Sequence, residues 1–119
     1  MPQLGMITTD TTDALGLSQW WAEQLGGTIT EQNDGYFCVV QVPSLPVPLA
    51  FQLVEEPTPG KNRMHLDLAP LPDEGTREQV VSKFLAAGAT LVDQQRMPGF
   101  AWDVLADPQG NVFCISDPH

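Results

Sequence analysis

The segment Lys61-Asn62-Arg63-Met64-His65-Leu66-Asp67-Leu68 lies near the midpoint of the 119-residue chain, where the pattern of the chain begins to repeat. It follows a proline-containing linker at 55–60, and its polar and apolar residues alternate. Alternation of this kind predicts a β-strand, here at 63–68. The segment carries one of the two histidines; the other, His119, is the last residue, where disorder is expected.

The elements predicted before this segment reappear after it in the same order. The first half is predicted to contain a strand at 4–9, a helix at 14–25 and strands at 28–30, 36–42 and 49–54. In the second half, a helix that begins after Asp73 or Thr76 and ends at 86–88 is followed by predicted strands at 90–92, 100–105 and 111–116. The chain therefore contains the order strand, helix, strand, strand, strand twice.

The two halves also match in individual residues, at a spacing of about sixty residues. Gly26 and Gly88 end the two predicted helices, and Phe51 and Phe113 lie in equivalent strands. The predicted fold class is α+β, with two tandem βαβββ modules in a single domain. Module one is expected at about 1–56 and module two at about 61–119, joined by the linker at 55–60. Each helix covers one face of its sheet, so the two remaining faces are expected to enclose a pocket between the modules.

The composition excludes several classes of partner. Fifteen acidic residues against five scattered basic residues give a net charge of −10, which opposes binding to nucleic acid. This acidity either keeps the protein soluble or concentrates cationic small molecules. No apolar stretch of about 18 residues and no signal-peptide pattern is readable, so we expect a cytoplasmic protein without a membrane partner. Cys38 and Cys114 are too few for a disulfide framework and are expected to be buried free thiols.

Four stretches of the chain carry a resemblance to a known superfamily. They are Phe51-Gln52-Leu53, the segment 61–68, Ala87-Gly88-Ala89-Thr90 and Ala106-Asp107-Pro108-Gln109-Gly110-Asn111-Val112-Phe113-Cys114. Through them nearly the whole chain resembles the vicinal oxygen chelate superfamily, and within it the small bacterial glyoxalase-like domains. The superfamily includes glyoxalase I, bleomycin-resistance proteins, fosfomycin-resistance enzymes and extradiol dioxygenases. The resemblance therefore implies the repeated βαβββ fold but no single reaction.

The resemblance also implies where a divalent metal would bind. Enzymes of the superfamily take ligands, usually His and Glu, from the first and fourth strands of each module. The corresponding positions in this chain are Met6, Gln52, His65 and Cys114, of which only His65 has the usual type. Hard octahedral ions prefer oxygen and imidazole donors, and no carboxylate stands at these four positions. We therefore expect no standard metal site, no cofactor and no glyoxalase I reaction, which needs a Lewis acid. A thiolate and imidazole set would instead suit Zn²⁺, or Cu(I) if the Met joins it.

The remaining site residues are interpreted from their positions on the predicted strands. His65 and Asp67 are two residues apart and face the same side of their strand. They form either an acid–base pair or a hydrogen-bonded remnant of the fold. Trp102 belongs either to the core or to the wall of a pocket. The residues expected to contact a ligand are Met6, Gln52, His65, Trp102 and Cys114.

Two functions of different classes agree with these observations. The first is a binding module that holds a small cationic or aromatic molecule in its pocket, as bleomycin-resistance proteins do. The alternative is a lyase, isomerase or hydratase of a small metabolite, with His65 as the acid–base group or as a metal ligand. A regulatory domain with an empty pocket is a third class. The resemblance implies a homodimer, since relatives are frequently dimers and sometimes exchange modules between chains, for which the linker at 55–60 is the place; a monomer also contains both modules.

Overall fold

The computed structural model describes residues 1–118, so His119 and the disorder expected there lie outside the described residues. The chain divides into two compact units, Met1–Pro59 and the residues from Gly60 onward. Each unit contains one four-stranded sheet and one α-helix, in the order βαβββ. The predicted fold class, α+β with two tandem βαβββ modules, is confirmed.

The first unit contains four strands in the spatial order β1-β4-β3-β2. Its elements are β1 (Ile7–Thr11), α1 (Ala14–Leu25), β2 (Thr28–Glu31), a 3₁₀ turn (Asn33–Gly35), β3 (Phe37–Gln41) and β4 (Leu49–Leu53). β1 is parallel to β4, and the other pairs are antiparallel. β1 lies further along the chain than the predicted strand at 4–9.

Helix α1 begins and ends where the sequence predicts, because both of its ends are determined locally. The Asp13 carboxylate accepts a hydrogen bond from the backbone N–H of Gly16, which satisfies an N–H group that the first turn leaves unpaired. At the other end Gly26 adopts a left-handed conformation with φ of 65°, which glycine tolerates without a Cβ clash. Trp21 is buried against the sheet, whereas Trp20 is half-buried.

The second unit repeats this arrangement, with the spatial order β5-β8-β7-β6. Its elements are β5 (Asp67–Leu68), α2 (Arg77–Ala86), β6 (Thr90–Met97), β7 (Phe100–Ala106) and β8 (Val112–Ser116). β5 is parallel to β8. Of the two predicted caps for α2, Thr76 is the one observed, and it forms a reciprocal capping box with Gln79. β6 pairs with β7 as far as the turn before Phe100, so it is longer than the predicted strand at 90–92.

The strand predicted at 63–68 was wrong in extent, since only Asp67–Leu68 is a strand. The cause is the side chain of Asn62. Its amide oxygen accepts a hydrogen bond from the backbone N–H of Val112 at 2.7 Å, and its amide nitrogen donates to the Val112 carbonyl at 3.0 Å. The Asn62 side chain thus takes the backbone groups of β8 that a longer β5 would pair with. The ladder resumes where the Cys114 N–H donates to the Leu66 carbonyl.

The sheet of the second unit has two chemically different faces. Leu105 and Phe113 are buried on the face that packs against α2, where the Phe113 and Phe84 rings lie 5.4 Å apart. Trp102 and Cys114 alternate with these residues along β7 and β8 and therefore point to the other face. This second face carries the candidate site.

Among the residues that the structure describes, no helix combines the length and apolar character needed to cross a bilayer.

Candidate functional site

A cavity of about 280 Å³ lies on the face of the second-unit sheet that points away from α2. Its volume is near the lower end of the range of small-molecule sites, roughly 300–1,000 Å³. The lining includes charged, aromatic, apolar and thiol side chains. The lining residues are Lys61, His65, Val92, Asp93, Gln95, Trp102, Val104 and Cys114. All of them belong to the second unit.

The strand register explains how residues distant in the sequence reach this cavity. Asp93 pairs with Val104, and Val104 pairs with Cys114, so these three side chains form one row across β6, β7 and β8. Gln95 and Trp102 form the neighbouring row. Paired residues in a sheet share a face, which places both rows on the cavity side.

A β-bulge adds Val92 to the same lining. The pairing of β6 with β7 shifts register between Leu91 and Asp93, which leaves Val92 as an extra residue. A bulge of this kind redirects a side chain while the strand continues. Sequence reasoning did not identify Val92, Asp93 or Gln95 as site residues, because the predicted strand ended at residue 92.

Trp102 lies in the wall of the cavity rather than in the core. The ring is half-buried, and its centroid is 6.1 Å from that of Phe100 on the same strand. Of the two alternatives left open by the sequence, the geometry matches a pocket wall. The indole face therefore offers an apolar and electron-rich surface within the cavity.

Three side chains with potential metal-binding atoms lie close together, and two of them, His65 and Cys114, line the cavity. We call His65, Asp67 and Cys114 the donor cluster. Nδ1 of His65 lies 2.9 Å from Oδ1 of Asp67 and 3.9 Å from Sγ of Cys114. One ligand atom from each residue lies within 4.8 Å of the others. Asp67 and Cys114 are direct partners in the parallel pairing of β5 with β8, which brings them together although they are distant in the sequence.

The hydrogen bond between His65 and Asp67 determines which imidazole nitrogen carries a proton. An ionised carboxylate can only accept hydrogen bonds, so Nδ1 of His65 is the donor. Nε2 is then left with its lone pair in the neutral ring. Cys114 approaches the same nitrogen that donates to Asp67, so the three groups do not form a relay through opposite ring nitrogens.

Burial raises the pKa of the Cys114 thiol to about 11, and the negative charge of Asp67 adds to this effect, whereas Lys61 acts against it. The side chain is only 7% exposed, which is consistent with the dominant contribution from desolvation. The thiol is therefore protonated at neutral pH. Since the thiolate is the nucleophilic form, the arrangement does not favour nucleophilic catalysis by Cys114.

Alkylation of Cys114 by iodoacetamide is expected to accelerate about tenfold for each pH unit from pH 7 to pH 10. The reason is that a thiol with a pKa of about 11 is still mostly protonated over this range. Peptide mapping by mass spectrometry, in EDTA, measures this rate separately from that of Cys38. Asp67→Asn is expected to increase the rate at pH 8, and a rate that levels off by pH 9 would contradict the assignment.

The two remaining predicted ligand residues, Met6 and Gln52, belong to the first unit. Gln52 follows Phe51 on β4, as Cys114 follows Phe113 on β8, and its parallel partner on β1 is Asp10. The pair of Asp10 with Gln52 thus corresponds to the pair of Asp67 with Cys114.

By the same register, the counterpart of His65 is Thr8, two residues before Asp10. Met6 lies outside β1, which begins at Ile7. The predicted position, Met6, and the position given by the register, Thr8, differ by two residues because β1 begins later than the sequence pattern predicts. Neither Thr8 nor Met6 carries a charged oxygen or an imidazole.

The donor cluster does not fit the octahedral metal that the resemblance implies. Mg²⁺ and Mn²⁺ prefer about six oxygen or imidazole donors, and the cluster offers one carboxylate, one imidazole and one sulfur. Sulfur is a soft donor that these hard ions bind poorly. No reaction step is therefore assigned to such an ion.

Comparison with known proteins agrees with the fold described above. The family model described as "Glyoxalase-like domain" matches residues 6–116. The structure is similar to a glyoxalase/bleomycin resistance protein/dioxygenase family enzyme from Burkholderia phytofirmans PsJN, with 22% identity, a TM-score of 0.76 and coverage of 97% of this chain and 98% of that chain. A glyoxalase-related enzyme from Fulvimarina pelagi is 22% identical with a TM-score of 0.74, covering 98% of this chain and 88% of that chain.

Lactoylglutathione lyase from Agrobacterium tumefaciens is more distant, at 13% identity and a TM-score of 0.68, with coverage of 98% of this chain and 93% of that chain. At these identities the similarity shows the fold. No curated protein gave a significant match to the sequence.

Proposed function

The chain belongs to the glyoxalase-like domain family of the vicinal oxygen chelate superfamily, and from this premise we propose that it binds a small cationic or aromatic molecule in the second-unit cavity. The observation that carries the proposal is the half-buried Trp102 ring in the wall of that cavity. A cation over an indole face gains roughly 0.5–2 kcal/mol, depending on how completely it is desolvated. The proposed binding needs no octahedral metal ion.

Charge and size restrict the proposed ligand. Asp93 contributes a carboxylate to the lining, and the net charge of −10 raises the local concentration of cations. Lys61 adds one positive charge to the lining, which partly offsets the attraction of Asp93 for a cation. A cavity of about 280 Å³ accommodates a molecule of one or two rings.

We expect 1-methylquinolinium to bind to the protein more tightly than neutral quinoline at pH 8, and Trp102→Ala to weaken that binding by at least about tenfold. The substitution removes both the aromatic surface and the cation–π attraction. Isothermal titration calorimetry in EDTA measures both affinities. Phe100→Ala is the matched control, because Phe100 lies on the same strand and the same face but does not line the cavity.

Two results would contradict this proposal. One is that neither 1-methylquinolinium nor quinoline binds to the protein. The other is equal binding by the Trp102→Ala and Phe100→Ala variants, because this would place the ligand away from the Trp102 wall.

A second candidate function is that of a lyase, isomerase or hydratase of a small metabolite. The observation that favours it is the 2.9 Å hydrogen bond between His65 and Asp67, because it orients the ring and leaves Nε2 able to accept a proton. His65 would act as the general base or as a metal ligand. Incubation with a metabolite extract, followed by mass spectrometry, should then reveal a compound that the protein converts and the His65→Gln variant does not. Conversion that persists in that variant would exclude His65 as the base.

A cytoplasmic location and a homodimer complete the proposal. Nucleic acid is not proposed as a partner, given the net charge of −10, and neither is a membrane, given the lack of an apolar stretch of about 18 residues. Light scattering coupled to size-exclusion chromatography distinguishes a dimer from the 13.0 kDa monomer.

A further inference from the structure

The donor cluster is not explained by the proposed ligand binding. An aromatic cation over Trp102 requires neither the sulfur of Cys114 nor the carboxylate of Asp67. Yet one nitrogen, one sulfur and one oxygen lie within 4.8 Å of one another on adjoining chain segments. Their side-chain types are those of zinc ligands.

We propose that the donor cluster is a binding site for Zn²⁺, with Cys114, His65 and Asp67 as three ligands and a fourth position open to water or to a bound molecule. This goes beyond the proposed function, which needs no ion. The set of ligands also differs from the four positions implied by the family resemblance. It comes entirely from the second unit, includes Asp67 and requires neither Met6 nor Gln52.

The distances agree with a tetrahedral zinc ion after small adjustments. Bonds of about 2.0–2.1 Å to nitrogen and about 2.3 Å to sulfur place those two ligand atoms about 3.6 Å apart. The observed separation between Nδ1 of His65 and Sγ of Cys114 is 3.9 Å. An oxygen and a nitrogen on the same ion would be about 3.4 Å apart, and the separation between Oδ1 of Asp67 and Nδ1 of His65 is 2.9 Å. Each of these two distances therefore changes by no more than about half an ångström on zinc binding.

The charges of the cluster also suit Zn²⁺. Zinc binding would release the Cys114 thiol proton and move the ring proton of His65 from Nδ1 to Nε2. The resulting thiolate and the Asp67 carboxylate together neutralise a dipositive ion, and Nδ1 of the imidazole completes a mixed N, S and O set. The backbone fixes the two strand ligands, since Asp67 and Cys114 are partners in the β5–β8 ladder. His65 remains partly exposed, which leaves a path for the ion to enter.

Titration with Zn²⁺ tests the proposal, and Co²⁺ serves as a spectroscopic probe of the same site. The 119-residue protein is treated with EDTA, exchanged into buffer and titrated by calorimetry. We expect one zinc ion per chain, with binding weakened by on the order of 100-fold or more in Cys114→Ser and in His65→Ala, because even the loss of an outer-shell partner typically costs 10–100-fold. The Co²⁺ complex is expected to show a sulfur-to-cobalt charge-transfer band and intense visible bands of tetrahedral cobalt, and Cys114→Ser should lose the charge-transfer band.

Two control variants separate this site from other zinc-binding groups. Cys38→Ala removes the other cysteine, which is buried in the first unit, and His119→Gln removes the other histidine. Both are expected to bind zinc as the unmodified protein does. Circular dichroism checks that every variant is folded.

Zinc binding that is unchanged in Cys114→Ser, or the absence of binding at millimolar Zn²⁺, would overturn the proposal. Because 1-methylquinolinium is titrated in EDTA, the failure of the zinc site would leave the proposed ligand binding unaffected. Conversely, zinc can bind as expected in a protein that does not bind the aromatic cation.

Discussion

Replacing Arg77 by methionine is expected to lower the free energy of unfolding by about 3–5 kcal/mol, as measured by urea unfolding followed by circular dichroism. Arg77 is only 6% exposed, and its Nη1 donates to Oδ2 of Asp103 at 2.6 Å. Asp103 is 2% exposed, so the variant leaves a carboxylate buried without its main partner. Nε of Arg77 also donates to Asp117 at 2.9 Å, which links α2 to the end of β8.

Arg96 partly balances the charge of Asp103 in the Arg77→Met variant, which reduces the loss of stability but does not prevent it. Its Nη1 is 3.0 Å from Oδ1 of Asp103, although that contact is not aligned as a hydrogen bond. The side chain of Arg96 is also about half exposed, so solvent screens its charge. We therefore place the expected loss toward the lower end of the range.

Glu78→Gln is the matched control for Arg77→Met. Glu78 accepts a hydrogen bond from the same guanidinium at 2.9 Å, but its side chain is 69% exposed. Exposed ion pairs contribute about 0–1 kcal/mol, so this variant should be nearly as stable as the unmodified protein. Adding Asp103→Leu to Arg77→Met should recover much of the loss, because it removes the unpaired charge. A loss below about 1 kcal/mol in Arg77→Met would contradict the account of the buried pair.

Replacing Phe113 by alanine is expected to destabilise the protein by about 3–5 kcal/mol. Phe113 is 1% exposed, and its ring packs at 5.4 Å from that of Phe84 on α2. The substitution removes apolar contacts, leaves a cavity between helix and sheet, and loses an aromatic pair worth roughly 0.5–1.5 kcal/mol. The same strand carries Cys114 on its opposite face, so the geometry of the donor cluster depends on this packing.

Phe113→Leu distinguishes the loss of apolar volume from the loss of the aromatic pair with Phe84. Leucine keeps most of the apolar volume, and we expect it to cost less than half as much as alanine does. Urea unfolding measures both variants under the same conditions. Equal losses would show that the cavity left by alanine does not determine the effect, and a loss below about 1 kcal/mol for Phe113→Ala would show that this part of the core is not tightly packed.

Local signals in the sequence were sufficient for several elements. The bounds of α1 were predicted correctly because Asp13 and Gly26 determine its ends through contacts with the nearest turn. The repeat of the βαβββ order was also readable, since it rests on periodicity and turns. In contrast, β5 is short because the Asn62 side chain bonds to Val112, a residue 50 positions away. Residue spacing alone does not reveal such a contact.

The candidate site was likewise predictable only where its contacts are local in the sequence. The contact of His65 with Asp67 was anticipated from their separation of two residues, although His65 itself lies before β5. The approach of Cys114 to them depends on the register of two parallel strands, which the sequence pattern does not specify. The buried ion pair of Arg77 with Asp103 was also missed, because charged residues are read as exposed unless a partner is identified.

The central claim is that the second-unit cavity binds an aromatic cation, and a titration with 1-methylquinolinium followed by ¹H–¹⁵N NMR tests it most directly. In EDTA, we predict saturable shifts of the Trp102 indole N–H and of the backbone amides of Asp93, Gln95 and Cys114, which line the cavity. Shifts that are absent, or that are confined to Met1–Pro59, would contradict the claim.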